Sequence, residues 1–242
     1  MVRGRNRASV SISADLCQAP AWDGFTGVII QWYSRSRGTQ QMTAEIDGLL
    51  ACAAQARREK RPADARQNLL SAVAIARAGN DHTELARAVT ELGRIERDLG
   101  QSDAALVLYQ EAATIYREQG NALKLAHTVR HVGDIHQDAG RSAQAEPFFE
   151  EALTIYRANP QAPALDVANA LRGLALLEDD AGDFDEADRL WEAAKTLYES
   201  VNVLPGVAEC AGRLALLARR REDTERARRM LAGSDCCRGK FR

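Results

Sequence analysis

"LGQSDAALVLYQEAATIYREQGN" (residues 99–121) is followed by a near-echo, "AGRSAQAEPFFEEALTIYRANP" (residues 139–160). Aligning the two brings out further copies: Ala65, Ala105, Ala145, Ala187 and Ala227 stand 40, 40, 42 and 40 residues apart. Four places after each comes a bulky residue, Leu69, Tyr109, Phe149, Trp191 and Leu231. Three places further come Ala72, Ala112, Ala152 and Ala194, with Ser234 in the fifth copy. Five residues ahead of the alanine lie Gly100, Gly140 and Gly182, replaced by Lys60 in the first copy and Glu222 in the fifth. Upstream again stand the pairs Leu92-Gly93, Val132-Gly133, Leu174-Ala175 and Leu214-Ala215.

Each copy reads as two helices. In the second, Ala86, Val89, Leu92, Gly93 and Ile95 share one helical stripe, and Gly100 supplies the left-handed residue that ends a helix. Ser102 is the expected N-cap of the next helix, whose stripe is Ala105, Tyr109, Ala112 and Tyr116. Gly93 and Ala105 let the pair approach closely while Tyr109 fills the remaining space. Turn-rich stretches at 78–81, 119–121, 159–163 and 202–206 separate the units. A single helical hairpin cannot bury its apolar face, so neighbouring hairpins must stack in a row.

The pattern Leu-Gly, then Gly, then Ala-x3-aromatic-x2-Ala resembles the tetratricopeptide repeat, and "AEPFFEEALTIYR" (145–157) is most similar to its longer, kinesin-light-chain type. The resemblance covers roughly 44–232 and implies an all-α, right-handed α-solenoid of about five antiparallel hairpins. The expected repeat domain is 42–232, with units near 44–80, 81–121, 122–163, 164–205 and 206–232. Pro147 is expected to kink its helix locally without breaking it.

The flanks read differently. Residues 1–41 open with "MVRGRNRASVSIS", Arg- and Ser-rich as in an organelle transit peptide; the plainer expectation is a disordered tail, or an upstream start with Met42 as the true beginning. Residues 233–242 are expected to be a flexible basic tail, and the short fifth unit leaves an apolar edge that either continues in further repeats or pairs with a second chain.

The net charge of −2 hides an acidic body between basic ends: 17 basic and 28 acidic residues in 42–212, but 5 and 2 in 1–41 and 10 and 4 in 213–242. That distribution speaks against nucleic acid as a partner. No apolar run approaches the ~20 residues that cross a bilayer, so no membrane partner is expected. Five cysteines without ligand-like spacing read as reduced thiols of a cytoplasmic protein. No GxSxG, Walker-type loop, HExxH or GxGxxG occurs, so neither enzymatic activity nor a cofactor is expected. His127, His131 and Asp134 at i, i+4 and i+7 could in principle hold a metal, but Arg130 on the same face repels a cation and a polar groove lining is the simpler reading. An enzyme would need that triad as its metal site.

The face of each first helix opposite its packing stripe carries the candidate binding residues: Arg87, Thr90, Arg94 and Arg97; then His127, Arg130 and Asp134; then Asn169 and Arg172. By the resemblance this face lines the concave groove in which peptides bind. Its five arginines in an acidic body favour an acidic or C-terminal peptide, since a guanidinium holds a carboxylate through two parallel hydrogen bonds. The residues of the family's chaperone-tail carboxylate clamp are not reproduced, Arg94 and Asp134 standing where Asn is expected. The expected function is a protein-protein interaction scaffold; the alternative is a ligand- or peptide-sensing module that controls a partner's activity.

Overall fold

The computed structural model describes the backbone of residues 25–230 and side chains from residue 38 onward. By its internal contacts the chain divides into two units, residues 1–41 and 42–242. In the first, the backbone is helical from Phe25, where a tail was expected; residues 1–24 lie outside the described residues, as do the expected basic tail and the edge of the fifth unit.

The described residues are helical throughout, without strands. In chain order they form α1 (Phe25–Arg58), α2 (Pro62–Ala78), α3 (His82–Asp98), α4 (Ser102–Glu118), α5 (Ala122–Asp138), α6 (Ser142–Ala158), α7 (Ala164–Ala181), α8 (Phe184–Ser200) and α9 (Leu204–Arg220), followed by helical residues 224–230. The odd-numbered helices are the A helices and the even-numbered ones the B helices of consecutive hairpins. Each helix from α3 to α8 packs chiefly on the one before and the one after it, which makes the array an all-α solenoid. Most helices have 17 residues, the extra turn that a 40-residue repeat implies, while α1 runs for 34.

Small residues and rings set the hairpin spacing. Tyr109, Phe149 and Trp191 are fully buried at equivalent places of α4, α6 and α8. A Cβ added to Gly93 would meet the Tyr109 ring at 3.2 Å, so the Leu-Gly pair of α3 is what lets that ring lie flat against the backbone. Ser102 is not a cap: α4 starts on it, and the capping position holds Gln101 with no side-chain bond. Ser142 likewise begins α6, which runs unbroken through Pro147. Side-chain caps occur at Asp81, Asn121 and Asp183, each accepting from the first-turn amides. The expected turn at 202–206 is shorter than read, because Pro205 and Gly206 already belong to α9 and Gly206 lies against Tyr198.

The turns inside the hairpins use a left-handed residue: Gly100, Gly140 and Gly182 at φ 77°, 69° and 86°. Lys60 and Glu222 adopt the same conformation, at φ 57° and 60°, despite their side chains. The left-handed penalty of an L-residue is about 1–2 kcal/mol, part of which is offset by the entropy a glycine adds to the unfolded chain. Lys60→Gly and Glu222→Gly are each expected to raise stability by roughly 0.5–1 kcal/mol, read as a higher urea midpoint. An unchanged or lowered midpoint would show that the side chains contribute more than the backbone strain costs.

Candidate functional site

The same 40-residue register that defines the fold aligns one face of the A helices. Arg87, Thr90, Arg94 and Arg97 of α3 correspond to Asp47, Leu50, Ala54 and Arg57 of α1 and to His127, Arg130, Asp134 and Gln137 of α5. These three helices enclose a cavity of about 320 Å³, lined by Leu50 and Ala54 of α1, Arg87, Thr90, Glu91 and Arg94 of α3, Tyr116 of α4, and Lys124, His127 and Thr128 of α5. A second cavity of about 270 Å³ adjoins it, lined by Ala54, Arg57, Arg58, Arg94 and Asp98; Ala54 and Arg94 belong to both walls.

Most of the arginines here already have carboxylate partners within the chain. Arg87 lies 2.6 Å from Glu84 and 2.9 Å from Asp47 of α1. Arg94 is paired with Glu91, and its Nε is buried without a hydrogen-bond partner. Arg57 bonds Asp98 at 2.6 Å. Arg172 lies 3.0 Å from Glu209 of α9 and so joins the fourth unit to the fifth, whereas Asn169 accepts a hydrogen bond from the Tyr198 hydroxyl at 2.7 Å within the fourth unit. Thr90, which lines the cavity, bonds back to the Ala86 carbonyl at 2.7 Å, a local bond within α3. Two cations of the walls have no carboxylate partner among the described residues: Lys124, and Arg58, whose guanidinium bonds only Gln55.

Beneath this surface α5 carries a buried ionic cluster. Arg130 and Asp134 are only 5% and 6% exposed and bond each other at 2.6 Å. Arg97 of α3 reaches the same carboxylate at 3.1 Å, and His131 Nδ1 lies 3.3 Å from it. Burial alone would raise the Asp134 pKa, yet Arg130, His131 and Arg97 outweigh it and hold the carboxyl far below the usual range. Burial likewise pushes His131 down to about 3, with Asp134 opposing and Arg130 assisting, so its imidazole is neutral and stacks on Tyr109 with ring centres 5.0 Å apart. His127 completes the chain, 3.3 Å from His131 and 3.2 Å from Asp166 of α7; burial raises the Asp166 pKa, but the His127 hydrogen bond outweighs it and the carboxyl stays low. The described residues contain no group of His, Cys, Asp or Glu arranged to hold a metal. His136 faces elsewhere, stacked on Phe148.

Residues 48–118, 84–158 and 121–200 match the family model described as the tetratricopeptide repeat, together more than half of the chain. The chain belongs to the tetratricopeptide repeat family. Comparison with curated protein sequences gave no match. Among solved structures, the tetratricopeptide array is similar to BtubC (BKLC) from P. vanneervenii, with 16% identity and a TM-score of 0.62 over 83% of this chain and 92% of that one. It is similar to a Podosopora anserina putative kinesin light chain with nearly identical TPR-like repeats, at 16% identity and a TM-score of 0.62 over 81% of this chain and 96% of that one. It also resembles aspartyl phosphate phosphatase F from Bacillus subtilis, at 13% identity and a TM-score of 0.70 over 88% of this chain and 56% of that one. At these identities the likeness carries the fold, and the kinesin-light-chain character read from 145–157 agrees with it.

Within the tetratricopeptide array the nine residues expected on the groove separate by depth. Arg87, Thr90, Arg94 and His127 line the cavity. Arg130 and Asp134 lie beneath it, closed off from solvent, with Arg97 as their link to α3. Asn169 and Arg172 belong to the next A helix. Lys124 and the contributions of α1 were not anticipated. Shifting Arg94 and Arg97 back by 40 residues to Ala54 and Arg57 was the signal available for α1; Lys124 falls one turn ahead of the aligned positions, and no pattern marks it. No described helix is long and apolar enough to cross a membrane.

Proposed function

We propose that this tetratricopeptide repeat protein is an interaction scaffold that holds an acidic peptide segment of its partner in the hollow between α1, α3 and α5. The observation that carries this reading is the charge of the larger cavity: Arg87, Arg94 and Lys124 line it against a single carboxylate, Glu91, and the Lys124 ammonium has no carboxylate partner among the described residues. Arg87 and Arg94 are each held by an acid on their own helix, a geometry that orients the guanidinium and leaves further donors for a ligand. Leu50, Ala54 and Tyr116 supply apolar wall for the peptide's own carbon atoms. Asp or Glu side chains, or a chain-terminal carboxylate, meet the requirement equally. The role is one of binding, with no catalytic step.

The test uses a peptide array graded in acidity, probed with the full chain. Binding is expected to rise with the number of Asp and Glu residues and to weaken with salt. Lys124→Glu, a surface change, is expected to reduce it at least about tenfold, and Arg94→Ala by a similar factor. Arg130 is unsuitable for this purpose, since its replacement disturbs the buried cluster. Binding that ignores both peptide charge and the Lys124 substitution would overturn the reading.

A further inference from the structure

The B helices are tied to one another by ion pairs that recur with the repeat. Arg77 of α2 reaches Glu111 of α4 at 2.9 Å, and one repeat later Arg117 of α4 reaches Glu151 of α6 at 2.7 Å. Between α8 and the last helical residues, Arg226 does the same work, 2.9 Å from Asp188 and 3.0 Å from Glu192. The rung between α6 and α8 is missing. Arg157 stands in register with Arg77 and Arg117, but the place of Glu111 and Glu151 is taken by Ala193. Arg157 is exposed and makes no ion pair or hydrogen bond among the described residues.

The same junction is loosened by its backbone and its charges. The other turns between hairpins contain a left-handed residue, Asn80, Gly120 and Asn202, at φ 52°, 66° and 56°. Here Asn159 closes α6 in an extended conformation, φ −120° and ψ 103°, and α7 begins after Pro163 with no side-chain cap. Glu178 of α7 is raised in pKa by burial and by the carboxylates Asp183, Glu146, Glu186 and Glu150, of which Glu146 and Glu150 belong to α6. Like charges thus oppose each other between α6 and α7, in addition to the ion pair missing between α6 and α8.

The A helices, by contrast, are bonded across it. His127 of α5 lies 3.2 Å from Asp166 of α7, and Gln137 donates to the Gly173 carbonyl at 3.1 Å. Phe149 of α6 is seated directly against Gly173.

We propose that the α6–α7 junction is a hinge: residues 42–158 and 164–230 move as two blocks about the A-helix bonds, while the B-helix side opens and closes. A contact tied on one side and free on the other changes the curvature of the array instead of separating its parts. The cavities described above lie wholly within the first block, so this inference is independent of what they bind.

Hydrogen exchange on the full chain tests it. Amides in the second and third turns of α7 (168–174) are expected to exchange about tenfold faster than their counterparts in α5 (126–132) and α9 (208–214). Ala193 is exposed, so Ala193→Glu can supply the missing partner of Arg157 without repacking. It is expected to slow α7 exchange about two- to fivefold, the range open to an exposed ion pair, an effect lost at about 1 M salt. Ala193→Gln, of similar size and uncharged, is expected to leave the rates unchanged. Protection of α7 equal to that of α5 and α9 would overturn the hinge, as would equal effects of the Glu and Gln substitutions.

Discussion

Asp134→Ala is expected to cost about 3–5 kcal/mol of stability, the range for removing one partner of a buried ion pair. The substitution leaves Arg130, 5% exposed, without a counter-charge, and it also removes the acceptor of Arg97 and the neighbour of His131. The His131 Nε2, 2.8 Å from the Arg130 guanidinium, is a neutral neighbour that does not replace the lost carboxylate. Chemical denaturation reads the loss. If Asp134→Ala does not fold, Arg130→Met combined with Asp134→Leu provides the control: exchanging both members of a buried pair for apolar groups is commonly neutral or stabilising. Recovery in the double variant and loss in the single one identify an unpaired charge as the cause; equal loss in both would assign it to packing.

The same cluster makes a pH prediction. The Asp134 carboxyl is held below its ordinary range in the folded chain, so its contribution is complete above the unfolded pKa of about 4 and disappears as the pH falls through the lower folded value. Wild-type stability is expected to fall more steeply below about pH 4 than that of the apolar double variant. Parallel pH profiles would show that Asp134 is not the responsible group.

Gly173→Ala is expected to cost roughly 1–3 kcal/mol, although alanine is the better helix former by about 1 kcal/mol. The added methyl group would stand 2.4 Å from one carbon of the Phe149 ring and 2.5 Å from the next. The ring cannot retreat, because it is fully buried and lies against Gly133 as well, where a Cβ would meet it at 3.0 Å. Phe149→Leu shortens the side chain, so the double variant should lose less than the sum of the two single ones. Gly212 provides the contrast. It lies inside α9 with nothing within 4 Å of its Cβ position, and Gly212→Ala is expected to stabilise by about 0.5–1 kcal/mol. A Gly173→Ala variant as stable as Gly212→Ala would mean that α7 shifts away from α6 freely.

Much of the fold is legible in residues repeated at a fixed interval. Ala105, Tyr109 and Ala112, recurring as Ala145, Phe149 and Ala152, state the helical period and the buried stripe, because every copy obeys the same packing constraint. Caps were less legible. Ser102 and Ser142 look like caps, yet each helix begins on them, since the left-handed glycine two residues earlier sets where the chain can re-enter helical geometry. The binding face was legible as a set of positions and not as a set of available charges. Which guanidinium reaches which carboxylate depends on helices 30 to 40 residues apart, as in Arg87 with Asp47 and Arg97 with Asp134.

The sequence by itself determined that this protein is a row of helical hairpins, because short-range periodicity and the burial of one stripe leave no other arrangement. Only the tertiary structure decided which of its many charges are still free. Burial removed Arg130 and Asp134 from the surface and neighbouring hairpins neutralised most of the remaining arginines, whereas Lys124 and Arg157 kept their charge unmatched. Electrostatic interaction depends on distance and on the surrounding medium, and neither is written in the order of the residues.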